Sequence, residues 1–202
     1  MTQHTSGSGK MVLVLTLITA LSGAILAAWD SYTAPKITYH REQALLVAIS
    51  QVLPAHDSTR TVVLNGQTFY EAFAGDSLVG VGFQALGNGF QGQIRMMLGM
   101  TPDLETITGL EILEQVETPG LGTKIAHDPS QRSDPEWFTK QFNGLLPSPE
   151  LTVIKNATPT HSNEIQAITG ATISSQAVVR ILNQQIESAR QAFRTGSEVV
   201  HG

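Results

Sequence analysis

The 202-residue sequence contains no cysteine, and this absence excludes several kinds of chemistry at once. Disulfide bridges, thiolate metal sites, iron–sulfur ligation and cysteine nucleophiles all require the missing thiol. The six histidines are scattered, and no two stand at the three- or four-residue spacing that puts two imidazoles on one helical face. Any redox chemistry must therefore use a bound organic cofactor or a metal held by other ligands.

Charged residues are also scarce, at 14% of the chain, where soluble proteins average about 25%. The formal net charge is -5, and the sequence contains no run of Lys or Arg. Because nucleic-acid binding depends on clustered positive charge, we do not expect nucleic acid as a partner. The length of the chain predicts one globular domain with an appendage.

The longest apolar segment runs from Met11 to Trp29 and contains no charged residue. As a helix it spans about 28 Å, which matches the hydrocarbon core of a bilayer. Trp29 and Tyr32 at its far end are typical of a membrane interface. We therefore predict an uncleaved transmembrane anchor over 11–29. The alternatives are a signal peptide cleaved near residues 22–24 and a buried helix of a soluble protein.

The charges that flank this anchor do not decide its orientation, because Lys10 precedes it while Lys36 and Arg41 follow it. A short polar head costs little to leave in the cytoplasm, so we expect the head inside and the globular part on the far side. The predicted divisions of the chain are a cytoplasmic head at 1–10, the anchor at 11–29, a stalk helix at 30–54 and the globular domain at 55–202.

The globular part is predicted to be an α+β domain, with a mostly antiparallel sheet and packed helices. Apolar residues at helical spacing predict a helix over 37–53 that Pro54 ends, and a weaker pattern predicts a short helix over 135–142. A final helix has an apolar stripe from Ala177 to Ile186, with Ser174 or Ser175 as its N-cap. Alternating or β-branched segments predict two hairpins and further strands, at 61–64 with 68–74, 79–85, 93–100 with 107–113, and 151–155.

Glycine is abundant, with 18 residues, and much of it falls in three clusters at 80–92, 120–122 and 170. The third cluster stands directly before the final helix, where unpaired backbone N–H groups and the helix dipole favour an anion. Gly170 and Ala171 leave room for a ligand to reach the hydroxyl of Thr172. A phosphate suits this position, although the same residues are also typical of a plain N-cap.

The second segment that indicates a site is 117–124, with the sequence ETPGLGTK. Its simplest interpretation is a surface loop, because Pro-Gly turns are common. The functional alternative is a wall of a ligand pocket, in which Leu121 contacts a flat ring and Lys124 with nearby N–H groups faces the polar edge of that ring.

Together these segments resemble the FMN-binding domain of the G subunit of the Rnf electron-transport complex, a relative of the C subunit of the sodium-translocating NADH:quinone reductase. The resemblance covers most of the chain and includes the single N-terminal anchor. The matching residues, in order along the chain, are 80–83, 89–94, 117–122, Trp137 with Phe138, and 169–175.

The resemblance implies that a separate flavin transferase attaches FMN covalently to Thr172, through a phosphoester bond. It also implies a single-pass protein of the bacterial inner membrane with its domain on the periplasmic side, bound to other integral and peripheral subunits. Such a protein is a redox subunit of a ferredoxin:NAD oxidoreductase-type complex, without substrate turnover of its own. The implied cofactor-binding residues beside Thr172 are Thr169, Gly170, Ala171, Ser174, Ser175, Glu117, Thr118, Gly120, Leu121, Gly122 and Lys124.

Two positions depart from the pattern of that family. The family usually carries Asp six residues before the modified Thr, as part of what the transferase recognises, and this chain has Gln166 there, with Glu164 two residues earlier. The segment 87–90 replaces a family tyrosine between glycines. These departures leave a second hypothesis open, a structural or assembly subunit that is never flavinylated. A soluble exported hydrolase is disfavoured, because no Ser, His and acid arrangement and no paired carboxylates stand out.

Overall fold

The computed structural model describes residues 5–199, so the first four residues of the predicted cytoplasmic head and the last three of the chain lie outside it. The chain divides into two units, residues 1–43 and 44–202. A single helix, α1, runs over Thr5–Val52 and passes Pro35 without a break. The helix predicted over 37–53 is confirmed, and it ends just before Pro54.

The part of α1 that belongs to the first unit has exposed apolar side chains along its length. From Gly9 onward the helix contains an 18-residue window with a mean hydropathy of 2.4, and none of that window is buried. Among the described residues this helix alone is long and apolar enough to cross a membrane. Its length and composition therefore fit the predicted anchor.

Five antiparallel strands in chain order form the main sheet of the second unit. The first hairpin turns at Asn65 and Gly66, whose φ angles of 49° and 80° suit the tight turn that Asn-Gly favours. Both predicted hairpins and the antiparallel sheet are confirmed. The strands are β1 Ser58–Leu64, β2 Gln67–Ala74, β3 Ser77–Asn88, β4 Gln93–Met100 and β5 Ile107–Gln115.

The strands direct alternate side chains to opposite sides of the sheet. Helices cover both of these faces. On one face Phe83 and Leu98 join the larger core cluster with residues such as Leu182 of the last helix, α3, which spans Thr172–Val199. On the other face Met97 packs with the end of α1, from Ala48 to Val52.

The end of α1 approaches the sheet closely at a pair of facing glycines, Gly99 of β4 and Gly109 of β5. A Cβ atom at Gly99 would lie 2.2 Å from the carbonyl oxygen of Val52, and one at Gly109 would lie 2.6 Å from its Cα. The hydroxyl of Thr108 donates a 2.7 Å hydrogen bond to the same carbonyl. Residues 44–52 are therefore an integral part of the second unit.

Short elements connect β5 to α3. A 3-10 helix spans Gly122–Ile125, and α2 spans Trp137–Lys140 within the helix predicted over 135–142. The strand predicted over 151–155 is confirmed as β6, Thr152–Ile154. It pairs in parallel with β7, Glu164–Gln166, which the sequence pattern did not predict.

Candidate functional site

Three segments that are distant in sequence meet at the side chain of Glu117, which is only 4% exposed. One carboxylate oxygen, Oε1, accepts hydrogen bonds from the backbone N–H groups of Phe90 at 2.7 Å and Gln91 at 3.1 Å. The other, Oε2, accepts a 2.6 Å hydrogen bond from the hydroxyl of Ser174. One buried carboxylate thus joins the β3–β4 turn, the loop after β5 and the first turn of α3.

Two glycines leave the space that this carboxylate occupies. A Cβ atom at Gly89 would lie 2.2 Å from Oε1 of Glu117, and one at Gly122 would lie 2.8 Å from Oε2. Real Cβ atoms do not approach other atoms so closely, so a side chain at either position would displace Glu117. The glycine clusters at 80–92 and 120–122 therefore meet at one point in the fold.

The serines at the start of α3 lie inside the helix, which begins at Thr172. The prediction that Ser174 or Ser175 is the N-cap is therefore wrong. Ser174 is buried against Glu117. Ser175 donates to the carbonyl of Ala171 at 3.0 Å and accepts from the backbone N–H of Ile168 at 3.1 Å. Both hydroxyls hold the helix start against neighbouring segments.

Thr172 itself is half-buried and differs from these serines. Across residues 5–199, no hydrogen bond engages its hydroxyl or the backbone N–H groups of residues 172–174. These N–H groups point toward the N-terminus of α3, where the helix dipole is positive. The start of α3 therefore offers a hydroxyl and several hydrogen-bond donors to an anionic group.

The predicted loop 117–124 and the segment before α3 each contain an exposed glycine. Gly170 and Gly120 have φ angles of 82° and 73°, which favour glycine over other residues. A Cβ atom at Gly170 would lie 3.3 Å from Cδ2 of Leu121. Thr118 shapes the loop by accepting hydrogen bonds at its carbonyl from the N–H groups of Leu121 and Thr123. The structure thus brings the two predicted segments together.

Three large apolar side chains remain exposed around this point, and we call Phe90, Leu121 and Ile173 the apolar rim. Their exposed fractions are 58%, 47% and 57%. Phe90 and Ile173 line the same groove, whose volume is about 990 Å³, together with Gln176 and Arg180 of α3. The rim gives the surface beside Thr172 an apolar character.

A smaller cavity of about 320 Å³ lies on the side of Thr169 and contains Lys124, Asp128 and Gln166. Asp128 is buried, which by itself raises the pKa of its carboxyl. Hydrogen bonds from Ser130 and from the indole N–H of Trp137, with the nearby charge of Lys124, outweigh burial and hold this pKa below its usual value. Asp128 therefore remains ionised, and Lys124 Nζ lies 3.4 Å from it.

Gln166 is held in this cavity by a residue that sequence reasoning missed. The side-chain amide of Gln141 accepts from the backbone N–H of Gln166 at 2.8 Å and donates to its carbonyl at 3.3 Å. The two residues are 25 positions apart, so no local pattern connects them. Asp128 was missed for a related reason, because one acidic residue in a loop is usually a solvated surface group.

Comparison with known proteins shows which family has a similar sequence. The family model described as "FMN-binding domain" matches residues 89–187, which include the β3–β4 turn, the 117–124 loop and the start of α3. The G subunit of the Na(+)-translocating ferredoxin:NAD(+) oxidoreductase complex of Acetobacterium woodii is 33% identical over 195 residues, which cover 88% of this chain and 89% of that protein. The G subunit of the ion-translocating oxidoreductase complex of Methanosarcina acetivorans is 29% identical over 191 residues, which cover 88% and 92%.

A crystal structure supports the same fold. NqrC of Shewanella oneidensis superposes with a TM-score of 0.51 at 22% sequence identity. The superposition covers 59% of this chain and 55% of that chain. At this level of identity the likeness shows a common fold.

Proposed function

This chain belongs to the family of G subunits of ion-translocating oxidoreductase complexes, and on that premise we propose that it is a membrane-bound electron-transport subunit that binds FMN. The start of α3 is the observation that supports the proposal most directly. There, the hydroxyl of Thr172 and the N–H groups of residues 172–174 have no hydrogen-bond partner among the described residues. A phosphate group satisfies such donors and is favoured by the helix dipole.

The rest of the site also suits FMN. Gly170, two residues before Thr172, and Gly120, next to Leu121 in the 117–124 loop, are exposed and have no side chain to block a ligand. Exposed apolar side chains in the rim offer contacts to a flat aromatic ring, and such contacts are common in cofactor sites. The cavity with Lys124 supplies a polar, positively charged neighbour. The residues present therefore match both ends of the cofactor, its phosphate and its ring.

We propose further that the cofactor is attached covalently to Thr172. In a reaction that a separate flavin transferase performs, the hydroxyl oxygen of Thr172 would form the phosphoester bond with the flavin-side phosphorus of a flavin dinucleotide donor. The pyrophosphate bond of the donor breaks, the hydroxyl loses its proton, and a nucleoside monophosphate is the leaving group. A covalent bond prevents loss of the cofactor, which is an advantage where no pool of free FMN exists. Bound FMN supplies the electron transfer, while the protein supplies position and electrostatics.

In this proposal the chain relays electrons between neighbouring redox centres and has no substrate turnover of its own. Residues 11–29 anchor it in the bacterial inner membrane, with 1–10 in the cytoplasm, and the stalk and domain at 30–202 lie on the periplasmic side. Its partners are the other integral and peripheral subunits of the complex. The apolar segment of α1 and the relation to the G subunits support this arrangement.

Intact mass spectrometry of the full chain, co-produced with its flavin transferase, tests the covalent bond. We expect the mass of the wild-type chain to exceed the sequence mass by one FMN group, and Thr172→Ala to lose this increment because it lacks the attacking hydroxyl. Thr158→Ala is the matched control, since Thr158 is an exposed threonine outside both site segments, and it should keep the increment.

A second candidate role is a structural or assembly subunit that is never flavinylated. The observation that favours it is Gln166, a neutral side chain at the position where the resemblance implies an Asp for transferase recognition. The same experiment separates the two roles, because a wild-type chain of unmodified mass, produced with an active transferase, supports the assembly role and refutes the covalent flavin.

A further inference from the structure

We propose that Glu117 is the positioning residue of this site, and that its carboxylate holds the apolar rim beside Thr172 so that the flavin ring stays in one orientation. The inference rests on the proposed function, since it concerns FMN bound at Thr172. It assigns to Glu117 a role without direct contact with the cofactor, because both of its oxygens are already engaged by the protein.

Glu117 is a buried carboxylate that hydrogen bonds hold in place. Its two oxygens act only as acceptors, toward two backbone N–H groups and one hydroxyl, as an ionised carboxylate does. No Lys, Arg or His in residues 9–194 forms an ion pair with it. A buried charge that depends on three hydrogen bonds is costly to disturb, because removing it leaves buried donors without partners.

Each segment that Glu117 joins contributes one member of the apolar rim. Phe90 donates its own N–H group to the carboxylate. Ile173 directly precedes Ser174, whose hydroxyl donates to Glu117. Leu121 directly precedes Gly122, where Glu117 fills the space that a side chain would need. Loss of the carboxylate would therefore release all three rim side chains together, although each belongs to a different part of the sequence.

Two substitutions separate the position of this side chain from its charge. Glu117→Gln keeps the shape and one acceptor oxygen for the N–H groups of Phe90 and Gln91, and the hydroxyl of Ser174 can accept from the new amide. It removes only the charge. Glu117→Ala removes the shape, the hydrogen bonds and the charge, so the three segments lose their common partner.

The experiment uses the full chain with FMN bound, in detergent, and compares flavin fluorescence anisotropy and midpoint potential. We expect Glu117→Ala to lower the anisotropy, because a ring that lacks its rim rotates more freely. Glu117→Gln should keep the anisotropy but raise the midpoint potential, because removal of a nearby negative charge favours the anionic reduced flavin. The matched control is Glu114→Gln, which removes a half-exposed carboxylate from β5, and it should change neither quantity.

Ser174→Ala provides a second test if Glu117→Ala does not fold. It removes one of the three hydrogen bonds, so the anisotropy should fall by less than in Glu117→Ala. The inference is overturned if flavinylated Glu117→Gln and Ser174→Ala match Glu114→Gln in both anisotropy and potential. A wild-type chain without the FMN mass increment instead refutes the proposed function, and the inference falls with it.

Discussion

At the scale of single residues, Lys124 combines a positive charge with a fixed position. Its side chain is 21% exposed, and Nζ lies 3.4 Å from Asp128, which is itself held by Ser130 and Trp137. The ion pair keeps the ammonium group at the wall of the cavity that Thr169 also lines. A fixed positive charge near a flavin stabilises the anionic reduced form.

Replacing Lys124 with Gln should therefore lower the midpoint potential of the flavin. The change removes the positive charge and leaves the negative charge of Asp128 uncompensated, and both effects disfavour the reduced anion. A redox titration followed by visible absorbance measures the shift. Lys140→Gln is the matched control, because Lys140 also pairs with an aspartate but is exposed on α2. Equal potentials for the wild type and Lys124→Gln would show that Lys124 does not tune the flavin.

At the scale of elements, a ring of hydrogen bonds around Glu164 orders the loop that enters β7. Its carboxylate accepts from the backbone N–H groups of Thr160 at 2.8 Å and His161 at 3.1 Å. The bond from Thr160 is the largest influence, and with the side chains of His161 and Thr160 it lowers the pKa of Glu164 to about 2. Glu164 thus stabilises β7, the strand that places Gln166 in the wall of the cavity.

This shift predicts a specific pH dependence of stability. Because the pKa of Glu164 is lower in the folded chain than its ordinary value of 4.5, the ionised carboxylate stabilises the fold above pH 4.5, and that contribution disappears as the pH falls to about 2. The melting temperature of Glu164→Gln should therefore lie below that of the wild type at pH 7, and the gap should close between pH 4.5 and about 2. Glu105→Gln, an exposed control, should show no such gap. A gap that persists unchanged to pH 2 would contradict the assignment.

The helices and strands differ in how well the sequence predicts them. The hairpins at β1–β2 and β4–β5 have alternating side chains and defined turn residues, and both were predicted. β7 was missed because its single β-branched residue, Ile165, stands between Glu164 and Gln166, whereas the equally short β6 consists of Thr, Val and Ile. The start of α3 was placed three or four residues late, because serines are typical N-caps and nothing in the local sequence shows that these two are buried.

At the scale of the whole molecule, the side of the membrane on which the domain lies can be measured directly. The absence of cysteine allows this, since a single introduced cysteine is then the only thiol in the chain. Suitable positions are Thr59, which is exposed on β1, and Gly9, where an added side chain meets no atom within 4 Å.

A membrane-impermeant maleimide added to spheroplasts should label Thr59→Cys, because we propose that the domain is periplasmic. Gly9→Cys should react only after the membrane is permeabilised, and this variant is the matched control for the cytoplasmic head. The opposite labelling pattern would place the domain in the cytoplasm. Labelling of the domain in a chain released from the membrane would support cleavage of the N-terminal segment as a signal peptide.

The sequence alone determined the features that depend on local chemistry. The apolar helix, both hairpins and the final helix follow from side-chain periodicity and turn residues, which act over a few positions along the chain. The two glycine-containing segments were identified as a candidate site for a different reason, since their residue types and order resemble one family.

Only the tertiary structure decided how that site is held together. Glu117 bonds to residues 26, 27 and 57 positions away, and Gln141 bonds to a strand 25 positions later. A hydrogen bond between such distant groups depends on the path of the whole chain, so no local pattern shows it. The sequence therefore identified Thr172 as the candidate attachment point, whereas the fold showed that one buried carboxylate, Glu117, joins three distant segments beside it.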